Sequence, residues 1–145
     1  MVQRIALEFA RGGRVRAVLL ADKAPKTCAA IWSRLPHEAE VLHARWAGRE
    51  IFLPIPLPDK PPMENLTNRV SAGEIIYFRE WEGQYDNTGF ETMGLFYGAE
   101  AIREWRGDVR ANLIARLLPE DLPLLEEVGL RVWRQGAERV RMVRD

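Results

Sequence analysis

The sequence predicts a mainly β fold, a β-barrel with two helices, on three observations. Short runs rich in Ile, Leu, Val and Phe recur with turn signals between them, helical spacing of apolar residues appears in only two places, and strand–helix–strand alternation of the parallel kind is absent. An α+β packing of the same elements is the neighbouring class; βαβ units and a parallel sheet are not. The 145 residues, 47% of them hydrophobic, suit one compact domain over residues 1–145 with a sizeable core.

Each element has its own signal. Arg4 to Phe9 and Arg14 to Leu20, joined by Arg11-Gly12-Gly13-Arg14, read as a β-hairpin. Pro25 suits the first position of a helix, and Cys28, Ile31, Trp32 and Leu35 follow on one face, so a helix is expected from Pro25 to Arg34, stopped by Pro36. Val41 to Leu53 has β character with Gly48 as a turn, and Leu42, Ala44 and Trp46 alternate against His43 and Arg45. Prolines at 54, 56, 58, 61 and 62 make Pro54 to Pro62 an extended surface loop. Strands are expected at Glu74 to Trp81 and Thr92 to Tyr97, with Glu82-Gly83 and Asp86-Asn87-Thr88-Gly89 as turns between them. Leu113 to Leu118 is a further apolar run. Pro119-Glu120-Asp121 opens a second helix near Leu122 to Val128, and Ala137 to Val143 closes the chain as a strand.

Composition excludes several classes. Twenty-one Lys and Arg balance 21 Asp and Glu, so no overall field draws the chain to nucleic acid or an anionic membrane. The arginines at 131, 134, 139, 141 and 144 lack the interleaved aromatics of an RNA-binding strand. One cysteine precludes an internal disulfide, and Met1 to Ile5 opens no long apolar run, making the cytoplasm the default compartment with no membrane partner. Nucleotide-binding glycine loops, the serine-hydrolase elbow and the zinc-protease helix motif are all missing.

Leu20-Ala21-Asp22-Lys23-Ala24-Pro25-Lys26-Thr27, after a hairpin and leading into a helix, resembles the amino-terminal half of the cyclophilins. Leu113-Ile114-Ala115-Arg116-Leu117, a helix and a terminal strand resemble their closing elements. In detail the chain is more similar to a bacterial cyclophilin-like family, DUF3830, through Ala24-Pro25-Lys26-Thr27, Leu35-Pro36, His43-Ala44-Arg45-Trp46-Ala47-Gly48, Phe96-Tyr97-Gly98 and Trp133-Arg134-Gln135-Gly136. The resemblance implies a cyclophilin-like closed antiparallel barrel with a helix over each open end. It does not imply an activity. The Phe-His-Arg, Gln-Gly-Gly and Gly-Ser-Gln-Phe-Phe segments of the isomerases are all missing.

His43 and Arg45, two apart, would project from one strand face about 7 Å apart, where together they can hold a carboxylate or similar anion; the plain alternative is a solvated outer face. Seven of the thirteen aromatics, Tyr77, Phe78, Trp81, Tyr85, Phe90, Phe96 and Tyr97, crowd one stretch and either fill the barrel or line a pocket. Tyr77, Trp81 and Tyr97, with polar edges, are the ones expected at its rim. The expected ligand-binding set is therefore His43, Arg45, Tyr77, Trp81 and Tyr97, with Arg49 competing with Arg45 as the functional cation. Trp46, on the opposite face, is expected in the core.

Three functions are carried forward: a non-enzymatic or accessory protein binding an anionic or amide metabolite, a divergent prolyl isomerase, and an interaction subunit docking on a metabolic enzyme through an outer barrel face and the Pro54 to Pro62 loop. An isomerase must lower a barrier of about 20 kcal/mol with a guanidinium beside an apolar pocket, for which Arg45 with Tyr77, Phe96 and Tyr97 is the available set. No cofactor and no metal are expected: His37 and His43, six residues apart on a strand, would lie about 20 Å apart. Cys28 is expected inside the core, not as a nucleophile. Self-association through an apolar outer patch is expected.

Overall fold

A computed structural model describes residues 2–81, 90–104 and 107–145. Tyr85 and the expected turns at 82–83 and 86–89 lie outside the described residues. The chain order is β1 (Arg4–Phe9), β2 (Arg14–Leu19), α1 (Pro25–Arg34), β3 (His37–His43), β4 (Glu50–Pro54), β5 (Glu74–Arg79), β6 (Glu91–Phe96), β7 (Ala111–Leu117), α2 (Leu122–Gln135) and β8 (Glu138–Arg144). Around the wall the order is β2, β1, β8, β3, β4, β6, β5, β7, and β7 pairs back onto β2. Every pairing is antiparallel, so the expected closed antiparallel barrel with two helices is present.

Side chains alternate across this wall. Val15, Ala17 and Leu19 of β2, Ile51 and Leu53 of β4, Ile75 and Tyr77 of β5, and Met93 and Leu95 of β6 enter one central cluster. Cys28 and Ile31 of α1 and Leu125, Val128 and Val132 of α2 join it. The outer face of the β4, β6 and β5 segment is buried as well. There Ile76, Phe78 and Phe96 pack with Val70, Ile102 and Val109, while Phe52 packs with Ala44, Ala47 and Phe90.

Several sequence expectations shift in detail. β5 ends at Arg79, and Trp81 stands beyond it with its indole Nε1 donating to the Arg110 carbonyl at 3.0 Å. α2 runs to Gln135, because the apolar spacing of Leu125 and Val128 continues through Val132; Gly136, at φ +90°, then ends it. β3 stops at His43, and Arg45–Ala47 form a 3-10 turn in place of a continued strand. That turn carries Trp46 out of the expected core: it is 40% exposed, its ring 5.7 Å from that of Phe52. The Pro54 to Pro62 segment is extended, as predicted, but Ile55 and Leu57 dip into the core between exposed prolines.

Buried polar groups are held by specific partners. Glu91 accepts from the Tyr77 hydroxyl, from the Leu57 amide at 3.2 Å and from Lys60. Neither Ala24 nor any other cap side chain serves the amino end of α1. Glu64 takes that role from the loop, accepting from the Thr27 amide at 2.5 Å and its hydroxyl at 2.6 Å, which satisfies a donor the helix leaves open. No helix among the described residues is long and apolar enough to cross a membrane.

Candidate functional site

The chain between β3 and β4 turns through a bond from the Ala44 amide to the Glu50 carbonyl, 2.9 Å, and through Gly48 at φ +85°. A side chain at Gly48 would meet the Glu100 carboxylate at about 2.6 Å, because that carboxylate closes on the Arg49 amide at 3.1 Å and on its Nε at 2.7 Å. His43 and Arg45 leave this bend on one side, Ala44 and Trp46 on the other. Tyr97, just after β6, is anchored by its amide to the Arg49 carbonyl at 3.0 Å. α2 completes the arrangement with Glu126, Leu130 and Trp133.

These residues surround an open recess of about 430 Å³. His43 Nε2 and the Tyr97 hydroxyl share a hydrogen bond of 2.5 Å, and the two rings meet edge to face. Tyr97 is only 8% exposed and lies flat against α2 at Gly129. Burial, reinforced by the Arg45 charge, lowers the His43 pKa, so its imidazole is neutral near pH 7. His43 Nδ1 is buried and has no hydrogen-bond partner among the described residues. Burial raises the Tyr97 pKa against the opposing pull of Arg49, keeping the phenol protonated.

The two arginines differ in what they have left to give. Arg49 is spent on Glu100 and on the Ala99 carbonyl, to which its Nη2 donates at 2.9 Å. Arg45 makes no ion pair with a described residue; its Nη2 donates to the Trp133 carbonyl at 2.5 Å, leaving most of its five N–H donors for another acceptor. The recess thus offers a guanidinium without a carboxylate partner among the described residues, an apolar wall of Leu130 and Trp133, and an exposed carboxylate, Glu126.

Of the sequence-predicted set, the structure brings together His43, Arg45 and Tyr97. Tyr77 does not join them: it is fully buried inside the barrel with its hydroxyl on Glu91. Trp81 is also buried away from the recess, over Arg110, with the Arg79 guanidinium 4.9 Å from its ring centroid. Phe96 packs in the outer cluster, so the set that would assemble an isomerase site around Arg45 is dispersed. His37, whose Nε2 donates to the Pro54 carbonyl at 2.8 Å, holds the wall, and no group of metal-ligating side chains forms among the described residues. Cys28 is buried, its thiol pushed up to about 12 by burial and donating to the Ile114 carbonyl at 3.5 Å.

The family profile described as a protein of unknown function (DUF3830) matches residues 5–144. The chain belongs to the DUF3830 family. No curated protein matches it. Among solved structures, this DUF3830 chain is similar to McbB in complex with tryptophan, at TM-score 0.74 and 20% identity over 97% of this chain and 44% of that one, so it spans less than half of McbB. It is also similar to the hypothetical protein AF2241 from Archaeoglobus fulgidus, at 0.63 and 19% over 99% and 95% of the two chains. The Mimivirus cyclophilin matches at 0.59 and 13% over 98% and 87%, in keeping with the cyclophilin-like barrel. Identities this low establish the fold of the DUF3830 chain and leave its chemistry to its own residues.

Sequence reasoning missed Glu126, Leu130 and Trp133, which lie more than eighty positions from His43. One signal pointed to them: Trp133 follows the buried Val132 on an amphipathic helix, and a tryptophan on the polar side of such a helix, here 45% exposed, is unusual.

Proposed function

We propose that the recess between the β3 to β4 bend and α2 binds a small carboxylate-bearing metabolite, with Arg45 as its anion anchor. The observation that carries this reading is the Arg45 guanidinium beside Trp133 and Leu130, which has no carboxylate partner among the described residues, while the neighbouring Arg49 is ion-paired to Glu100. A planar carboxylate takes two parallel N–H donors from a guanidinium, and an apolar tail would lie on the Trp133 and Leu130 wall. Neutral His43 and protonated Tyr97 contribute polarity without a second positive charge, and Glu126 on the lining disfavours dianions. The tryptophan complex of McbB supports this reading to the extent that a structural neighbour is found with a carboxylate-bearing molecule.

The test is a thermal-shift and calorimetric series with propionate, benzoate and their amides. A ligand of the native state raises Tm by mass action. The carboxylates should raise Tm and the amides should not, and Arg45→Ala should weaken benzoate at least tenfold. Amides matching the acids, or full affinity in Arg45→Ala, would overturn the assignment.

A further inference from the structure

Behind the recess, on the other side of the bend, a second hollow is closed by Trp46, Phe52, Phe78 and Phe90. The rings form a chain, with centroids 5.7 Å apart for Trp46 and Phe52, 6.1 Å for Phe52 and Phe90, and 6.2 Å for Phe78 and Phe90. Glu50 faces into it. This side chain is 6% exposed, and its carboxyl makes no hydrogen bond or ion pair with a described residue. Glu50 stands opposite Phe96 in the register of β4 with β6, and its Oε2 lies where a side chain at Gly94 would be, 2.0 Å from an ideal Cβ. The absence of a side chain at position 94 is what makes room for the carboxyl.

A carboxyl buried among aromatic rings with no partner is costly, and burial alone lifts its pKa to about 8. Structural carboxylates elsewhere in this barrel are treated differently: Glu91, Glu138 and Asp121 each have two or more donors. The faces of aromatic rings attract cations within about 6 Å of their centroids, and an ionised carboxylate attracts the same charge. We propose that Glu50 and these four rings form a binding site for the ammonium head of a small organic amine. The hollow, about 30 Å³, has room for a head group of one or two heavy atoms, so the rest of the molecule must extend outward. Two further charged residues line it. They are buried Glu104 and exposed Arg103, of opposite charge.

Binding an ammonium requires Glu50 to give up its proton, so one proton leaves for each amine bound below the carboxyl's own pKa. NMR and calorimetric titrations with methylammonium and n-butylammonium between pH 6 and 9 test this, with n-butanol as a neutral control. Affinity should tighten about tenfold per pH unit from 6 towards 8 and then level off. Glu50→Gln should weaken n-butylammonium at least tenfold and remove the pH dependence, while Phe52→Leu, which keeps the carboxyl, should weaken binding and retain the slope. Amine affinity preserved in Glu50→Gln, a pH-independent Kd in wild type, equal binding of n-butanol, or no amine binding at pH 8 would each overturn the proposal. Failure of benzoate to bind at Arg45 would leave these readouts untouched, since they report on Glu50.

Discussion

Gly129 shapes the recess by what it lacks. An ideal Cβ there would lie 2.4 Å from two carbons of the Tyr97 ring, so alanine cannot enter without moving the tyrosine off His43. Two effects compete: alanine gains up to about 1 kcal/mol of helix propensity, whereas forcing a packed ring aside costs about 1–3 kcal/mol. Overpacking wins because Tyr97 is held on its other side by the hydrogen bond to His43. Urea denaturation of Gly129→Ala should show a net loss of stability, and benzoate affinity should fall with it. Glu50 gives a second residue-scale prediction of opposite character. Its folded pKa is raised, so its contribution to stability is greatest below the unfolded value and declines as pH rises towards 8. Glu50→Gln should therefore gain stability over wild type when denaturation midpoints are compared at pH 5 and pH 8. His43, Arg45 and Tyr97, expected together from the sequence because each combines a polar tip with β or turn context, do line one recess. Tyr77 and Trp81 carry the same local signature. A period of two says which residues share a face, not which face is inside.

At the scale of elements, α1 depends on a group that sequence proximity would not suggest. Glu64 receives the Thr27 amide and hydroxyl, and Asn112 ties the same spot together by donating to Thr27 Oγ1 at 3.0 Å and to the Pro62 carbonyl at 2.9 Å. The proline-rich segment is thereby pinned to the helix start. Glu64→Ala should cost about 1–2 kcal/mol, read as a lower urea midpoint, with hydrogen exchange rising first in the amides of residues 26–28. The helices, the hairpin and the closing strand were readable because their periods are local. The length of α2 was underestimated at Gly129, where a helix-weakening residue masks apolar spacing that resumes at Val132. That extension supplies Leu130 and Trp133, so the error in one boundary hid the apolar wall of the recess.

For the molecule as a whole, charge is balanced in sum, and two carboxylates, Glu138 and Asp121, are held in half-buried pairs with arginines. Glu138 accepts from Arg11 at 2.5 Å and Arg131 at 2.6 Å; burial opposes its ionised form, and the arginine bonds outweigh that and hold its pKa down. Asp121 is held down chiefly by its hydrogen bonds to Arg16. Depressed carboxyl pKa values give stability that is present above the unfolded value and lost as pH falls through the folded one. The denaturation midpoint should drop on acidification below about pH 4, and Glu138→Gln should lower stability at pH 7 by about 1–3 kcal/mol while flattening that acid limb. Barrel closure was legible only through family resemblance. The pairing of β7 with β2 joins residues almost a hundred positions apart, and no local pattern encodes it.

The joint between β3 and β4 is held by two registered pairs, Leu42 with Phe52 and His43 with Ile51, by the Ala44 amide on the Glu50 carbonyl and by the His37 bond to the Pro54 carbonyl. The ladders of the same two strands to their other neighbours, β3 to β8 and β4 to β6, are longer, with five registered pairs each. Both hollows abut this junction, one from each side, so a single short connection gives shape to two chambers at once.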